Sequence, residues 1–171
     1  MSPLTATEPF DRTRHRVGSF RCGHETLDRW LRAYAGQSQR RDAARTFVTA
    51  EPDGTVVGYY TLVAAHVRHE TATAPVGRGM SRHFPIPVAL LARLAVDRRR
   101  QGARLGASLL LDALRRVIRA SDEIAVRAII VEAIDERAAS FYRHFGFESS
   151  PLSPGTLMVP LEIARRVLGA T

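Results

Sequence analysis

Between Pro87 and Leu114 the chain passes from an apolar stretch through a basic, glycine-containing turn into an amphipathic stretch. The apolar run Pro87–Val96 is typical of a strand covered on both faces. After the turn from Arg98 to Gly106, apolar residues recur at helical spacing: Leu105, Leu109, Ala113, Leu114, Val117 and Ile118. A glycine-containing turn before a helix points backbone N–H groups at one spot and can hold a pyrophosphate. The alternative is an ordinary charged turn that caps a helix.

The rest of the chain alternates strand and helix patterns. We expect a helix over Gly23–Tyr34, a hairpin of Thr46–Ala50 and Val56–Val67, a surface loop over His69–His83, a strand over Ala125–Ala133, a helix over Glu136–Phe145 and a strand over Thr156–Leu161. Residues 1–9 are expected to be a loose lead-in. This order indicates an α/β or α+β fold, with a mixed sheet and helices on its faces.

Composition narrows the class of protein. A length of 171 residues suits one domain, residues 1–171. The net charge is +8, and all 25 basic residues are arginine, which suits binding to a polyanion. Cys22 is the only cysteine, so an internal disulfide and a multi-cysteine zinc site are excluded. The histidines lack ligand spacing, so we expect no metal. Without an apolar leader or spanning run, we expect a cytoplasmic protein that does not enter membranes.

Tyr142 lies in the sequence FYRHFGF, just past the strand Ala125–Ala133. An isolated tyrosine on a helix usually packs in the core. Here Phe141 and Phe145 already supply apolar bulk, so the hydroxyl of Tyr142 is free for chemistry. An anion-binding loop together with a positioned phenol suggests group transfer from a phosphorylated cofactor.

These residues resemble two motifs of the GCN5-related N-acetyltransferases (GNAT). RLAVDRRRQGARLG resembles motif A, Q/R-x-x-G-x-G/A, and ASFYRHFGF resembles motif B. The stretches SFRCGHETLDRWL, AARTFV, PIPVALLARLAVD and VRAIIVEA resemble the acetyltransferase toxins of bacterial toxin–antitoxin pairs. The resemblance implies the GNAT fold, a mostly antiparallel mixed sheet of six to seven strands with about four helices. It also implies acetyl transfer from acetyl-CoA to the α-amino group of aminoacyl-tRNA, which releases CoA and blocks translation.

The resemblance also assigns site residues. Tyr142 would be the general acid, residues 94–96 would bond the pantetheine arm, and residues 101–106 would hold the pyrophosphate. The full cofactor-binding set is Leu94, Ala95, Val96, Arg99, Arg100, Gln101, Gly102, Ala103, Arg104, Leu105, Gly106, Ala107 and Phe141. The family usually has glycine where this chain has Arg104. That arginine either adds a phosphate contact or crowds the loop.

Arg93 interrupts an apolar strand, so its charge must be paired or must face a cleft. One interpretation is a salt bridge within the sheet. The other is a contact with the tRNA acceptor phosphates, on a basic surface widened by other arginines: Arg29, Arg32, Arg78 and Arg82.

Two other functions stay open at this point. One is acetylation of a protein N-terminus or a small amine, and the other is a non-catalytic basic module that binds nucleic acid or a partner. By resemblance, a toxin of this kind would form a homodimer and be inhibited by a small ribbon-helix-helix antitoxin. This chain has no DNA-reading motif of its own.

Overall fold

The computed structural model describes residues 2–170, which form seven strands and six α-helices. The strands are β1 (Glu8–Pro9), β2 (Arg45–Ala50), β3 (Val56–Val67), β4 (Ile86–Val96), β5 (Ala128–Glu132), β6 (Glu148–Ser149) and β7 (Thr156–Pro160). The helices are α1 (Glu25–Ala33), α2 (Ala35–Arg40), α3 (Ala74–Gly77), α4 (Leu105–Ala120), α5 (Glu136–His144) and α6 (Leu161–Gly169). The strands belong to one sheet with the order β1-β2-β3-β4-β5-β7-β6. The predicted mixed, mostly antiparallel fold is confirmed.

The chain divides into two compact units. The first contains the residues up to 63 together with 92–113. Its β1, β2 and β3 pair antiparallel, which confirms the predicted hairpin of β2 and β3. The hairpin turn depends on Gly54, whose φ is +89° and whose Cβ, if present, would lie 2.2 Å from the Arg14 carbonyl oxygen. The core of this unit is aromatic and aliphatic, with Phe20, Val48 and Tyr59 fully buried.

The second unit contains residues 64–91 and those from 114 onward. Here β4 pairs parallel with β5, β5 pairs antiparallel with β7, and β7 pairs antiparallel with β6. Apolar residues from these strands form the core, among them Val88, Ile130 and Met158. Within the described residues, no helix is both long and apolar enough to cross a membrane.

Several sequence predictions need correction. The segment 69–83 is not simply a surface loop, because it contains α3 and buries Val76 completely. The Arg127 guanidinium holds this segment by donating to the carbonyls of Pro75, Val76 and Arg78 at 3.0–3.1 Å. Such contacts lie some fifty positions apart in the chain, so local pattern does not indicate them.

The ends of the chain are also more ordered than predicted. The lead-in contains β1, and the Thr5 N–H donates to the Ala50 carbonyl at 2.8 Å. The final strand ends at Pro160 rather than Leu161, because Leu161 begins α6, which the sequence analysis did not predict. Six helices form instead of about four, and two of the additional ones, α2 and α3, are only 6 and 4 residues long.

Candidate active site

The Arg98–Gly106 loop follows β4 directly, in the first unit. Arg98–Arg100 form one turn of 3₁₀ helix, and α4 begins at Leu105. Gly102 and Arg104 both have left-handed backbones, with φ of +83° and +64°. Alternation of this kind turns successive N–H groups towards one side. In the described chain, none of the N–H groups of residues 101–107 makes a well-formed hydrogen bond to a protein acceptor. The loop therefore offers a row of unsatisfied donors that fits a pyrophosphate.

Asp97 anchors the start of this loop. Its side chain is almost fully buried, and its Oδ1 accepts bonds from the N–H and Nε of Arg99 at 2.9 and 2.8 Å. Its Oδ2 accepts the Arg21 N–H at 3.0 Å and Arg99 Nη2 at 3.2 Å. Burial alone raises the pKa of this carboxyl, but the bonds from Arg99 and from two backbone N–H groups outweigh it and hold the pKa below its usual value. Asp97 is thus a buried anion that fixes the loop.

Gln101 anchors the loop a second time. Its Nε2 donates to the carbonyls of Cys22 and Val96, both at 2.8 Å. The sequence analysis assigned Gln101 to the cofactor set but did not identify the role of its side chain. It did not identify Asp97 at all, although an aspartate directly before three arginines was a usable signal.

The arginines of the loop differ in what they can offer a phosphate. The Arg100 guanidinium is buried, paired with Glu51 at 3.0 Å and bonded to the Ser2 carbonyl at 3.2 Å. The Arg99 guanidinium is half exposed and paired with Asp97. Arg98 and Arg104 are exposed. Direct phosphate contact by an arginine side chain therefore falls first to these two residues.

The left-handed backbone of Arg104 explains why the family usually has glycine there. A side chain in that conformation costs about 1 kcal/mol. We therefore expect Arg104→Gly to be more stable than Arg104→Ala by about 1 kcal/mol, the opposite of the usual effect of glycine in a folded chain. Both variants lose the same charge, so denaturant unfolding of the pair isolates the backbone cost. Equal stability of the two would show that Arg104 does not hold this conformation in solution.

Tyr142 lies on α5, in the second unit. The N-terminus of α5 is capped by Asp135, whose Oδ1 accepts the Ala138 N–H at 2.8 Å. The Tyr142 ring packs against those of Phe141 and Phe147, with centroids 5.2 and 5.5 Å away. Its side chain is buried, and burial raises the pKa of the phenol to about 12. The phenol is therefore protonated at neutral pH, as a proton donor must be.

The Tyr142 hydroxyl has no hydrogen-bond partner among the described residues. A buried tyrosine hydroxyl normally finds a protein acceptor, as that of Tyr59 does with the Leu27 carbonyl at 2.8 Å. No fully enclosed side-chain oxygen or nitrogen in the described part of the chain lacks a partner, so the Tyr142 oxygen reaches the surface. This combination favours a chemical role over a packing role.

The nearby carboxylates have structural partners. Asp135 caps α5, Glu136 pairs with Arg143 at 2.6 Å, and both oxygens of Glu132 accept bonds from the Thr156 hydroxyl. None of these three is free to act as a general base. Among residues 2–170 there is also no group of three or more side chains that could hold a metal ion.

Arg93 stacks on an aromatic ring instead of forming a salt bridge. Its guanidinium carbon lies 4.0 Å from the centroid of Trp30, and the other face of Trp30 stacks on Tyr59 at 6.2 Å. In the part of the chain that the structure describes, no carboxylate lies within 4 Å of Arg93. Burial lowers its pKa, opposed by the nearby Tyr59. Its N–H donors are left for a ligand.

The other predicted tRNA-contacting arginines are distributed over both units. In the first unit, Arg29 lies near the Tyr34 ring at 6.0 Å, and Arg32 bonds to the Phe20 carbonyl at 2.8 Å and Glu25 at 3.2 Å. In the second, Arg78 and Arg82 are exposed. Their contact with tRNA remains a prediction.

Comparison with known proteins identifies the family. The model of the acetyltransferase (GNAT) family matches residues 11–147. The chain is 45% identical over 153 residues to a tRNA-acetylating toxin of Mycobacterium tuberculosis (strain ATCC 25618 / H37Rv), covering 90% of each chain. Among solved structures, AtaT complexed with acetyl-methionyl-tRNAfMet is similar with a TM-score of 0.87 and 26% identity, over 96% of this chain and 99% of that one.

A mutant AtaT toxin bound to acetyl-CoA and to the C-terminus of the antitoxin AtaR is also similar, with a TM-score of 0.82 and 27% identity over 96% and 97% of the two chains. The family match includes both the Arg98–Gly106 loop and Tyr142. The resemblance noted in the sequence is thereby confirmed. The chain belongs to the GNAT family of acetyltransferases.

Proposed function

We propose that this chain is a toxin that transfers acetyl from acetyl-CoA to the α-amino group of aminoacyl-tRNA and so blocks translation. The row of unpaired N–H groups at residues 101–107 is the observation that carries the cofactor assignment. The acceptor assignment is supported by the 45% identity to a tRNA-acetylating toxin and by the likeness to AtaT in complex with acetylated tRNA. The arginine-only basic charge of the chain suits the same acceptor.

Acetyl-CoA would be held at the loop and the adjoining end of β4. Backbone groups of residues 94–96 would bond the pantetheine arm, and those of 101–107 would hold the pyrophosphate. Arg99 and Arg104 add charge, and Phe141 adds apolar contact. Because the Arg100 guanidinium is already paired with Glu51, Arg100 would contribute through its backbone.

The reaction needs a neutral amine and a protonated leaving group. Acetyl-CoA supplies the acetyl group and leaves as the CoA thiol. A backbone N–H at residues 94–96 polarises the thioester carbonyl while the amine nitrogen forms its bond to carbon. Tyr142 gives its proton to the sulfur as the carbon–sulfur bond breaks. Water takes the proton that the amine loses, because an α-amino group with a pKa near 8 is partly neutral at working pH.

Arg93 is the strongest candidate for tRNA contact because it has unused donors. We expect Arg93→Met to raise the KM for aminoacyl-tRNA about tenfold and to reduce the salt dependence of binding by about one ion. The KM for acetyl-CoA should stay the same. Arg115→Met, at an exposed arginine of α4 outside the predicted surface, is the control. Equal effects of both substitutions would show that Arg93 contributes only to overall charge.

The relatives also suggest the partners of this chain. AtaT is found with the antitoxin AtaR. We propose that this chain is likewise inhibited by a small ribbon-helix-helix antitoxin, forms a homodimer through a single acetyltransferase domain, and contacts DNA only through the antitoxin. Its substrate would require it to act in the cytoplasm.

The test is transfer of label from acetyl-CoA to a charged tRNA pool, with uncharged tRNA and Tyr142→Phe as controls. We expect label on the aminoacyl end, absent from both controls. Binding of acetyl-CoA without labelling of tRNA would move the acceptor to protein N-termini or small amines. Failure to bind acetyl-CoA at all would support the non-catalytic basic module.

A further inference from the structure

The start of α1 is tied to the Arg98–Gly106 loop through the short segment Arg21–Cys22, which we call the linker segment. The Arg21 N–H donates to Asp97, the Arg98 N–H donates to the Arg21 carbonyl at 2.8 Å, and Gln101 donates to the Cys22 carbonyl. Three hydrogen bonds therefore join two residues of this segment to the loop. Two other bonds in the same region, from Gln101 to Val96 and from Arg99 to Asp97, hold the loop itself in shape.

The linker segment is held equally firmly from the other side by α1. The Cys22 N–H donates to Asp28 Oδ1 at 2.8 Å, and both residues are buried. Cys22 is thus fixed at its carbonyl by the loop and at its N–H by α1. A displacement of the loop at Gln101 must be passed to Asp28 or must break one of these two bonds.

Helix α1 carries residues proposed to face the acceptor. Trp30 supports the guanidinium of Arg93, and Arg29 lies one residue before it. We propose that Gln101 is a positioning residue, which transmits occupancy of the loop by the CoA nucleotide through Cys22 to α1 and thereby sets the acceptor-binding residues. Its role in acceptor binding rests on the proposed function, whereas the transmission itself does not.

The chain provides its own probe, because Trp30 is its only tryptophan. Adenosine 3′-phosphate 5′-diphosphate, the nucleotide half of CoA, can fill a pyrophosphate loop but has no pantetheine arm to reach further. We expect this nucleotide to cause a saturable change in Trp30 fluorescence in the unaltered chain. Gln101→Leu should bind it with a similar Kd by calorimetry and show no such change.

A matched control is available in the same unit. Gln39 also bridges two segments, donating to the Phe10 carbonyl at 2.7 Å and accepting the Thr46 N–H at 3.1 Å, but it does not contact the loop. Gln39→Leu should keep the fluorescence response. Because the Gln101 residue is exposed, its substitution is not expected to unfold the chain, and the thermal midpoint of each variant checks this.

Two results would overturn the proposal. One is a full fluorescence response in Gln101→Leu at saturating nucleotide. The other is a Kd raised more than about a hundredfold by that substitution, which would make Gln101 part of the binding site itself. With charged tRNA and CoA, which cannot react, we expect CoA to tighten tRNA binding at least about fivefold, and Gln101→Leu to remove this effect. If charged tRNA does not bind at all, the proposed function fails, while the fluorescence result still decides the role of Gln101.

Discussion

Tyr142→Phe is expected to lower the rate of acetyl transfer by at least about a hundredfold, the usual contribution of a general acid. The fold should be unaffected, because the hydroxyl bonds to no residue in the described chain and the ring that packs against Phe141 and Phe147 is kept. Calorimetry should show unchanged binding of acetyl-CoA. A variant that transferred acetyl at the normal rate would make Tyr142 a packing residue.

Tyr59→Phe is the contrasting control. Its hydroxyl bonds to the Leu27 carbonyl, so its loss should cost about 1 kcal/mol of unfolding free energy. Tyr142→Phe should cost almost none. The two variants together separate a hydroxyl that stabilises the fold from one that serves the reaction.

The pH dependence of the rate tests the same assignment. Burial raises the pKa of Tyr142 to about 12, so the proton donor stays protonated throughout the usable range. The rate should rise as the acceptor amine loses its proton near pH 8 and should then stay level to about pH 10. Initial rates must be corrected for hydrolysis of the aminoacyl ester. A fall in rate between pH 8 and 10 would contradict a phenol with so high a pKa.

Asp97→Asn is expected to weaken acetyl-CoA binding at least about tenfold and to lower the free energy of unfolding by about 2–3 kcal/mol. An asparagine has one acceptor oxygen, and its NH₂ group would face donors that the carboxylate now accepts: the Arg21 N–H or those of Arg99. Leaving buried donors unpaired costs about 1–3 kcal/mol. Calorimetry and denaturant unfolding measure the two effects.

Asp53→Asn is the matched control for this prediction. Asp53 also accepts a backbone N–H, that of Thr55, and pairs with Arg16, but it is exposed in the hairpin turn. Its substitution should change stability by less than about 1 kcal/mol and leave cofactor binding intact. If both aspartates behaved alike, the buried position of Asp97 would have no special role.

The sign of the pH effect on stability follows from the lowered pKa of Asp97. The folded state holds this carboxylate ionised more strongly than the unfolded chain does. Its contribution is therefore fully present above the unfolded pKa near 3.8 and is lost as pH falls through the lower folded value. The difference in stability between the original chain and Asp97→Asn should shrink below about pH 4.

How far the sequence predicted the structure depends on the range of each interaction. The β2–β3 hairpin, the run before Asp97 and the helix that carries Tyr142 were predicted because local periodicity and turn residues determine them. Helix α6 carried such a pattern and was overlooked. The bond from Gln101 to Cys22 joins residues 79 positions apart and depends on tertiary structure, which no local pattern reveals.

Arg104 shows a second kind of limit. The sequence showed that an arginine replaces the usual glycine, and both outcomes, a phosphate contact or a crowded loop, were open. The structure keeps the left-handed backbone that glycine would have. Only the backbone angle separates a loop that has changed shape from one that has kept its shape at an energetic cost.

The arginine-only basic character of this chain has a chemical consequence for an acetyltransferase. A lysine amine near a bound acetyl donor is itself an acceptor, and acetylation erases its charge. Guanidinium groups such as those of Arg29, Arg32 and Arg93 stay protonated and are not nucleophiles at neutral pH. With no lysine in its sequence, the chain has no side-chain amine to acetylate. Its positive surface therefore withstands the donor that it uses.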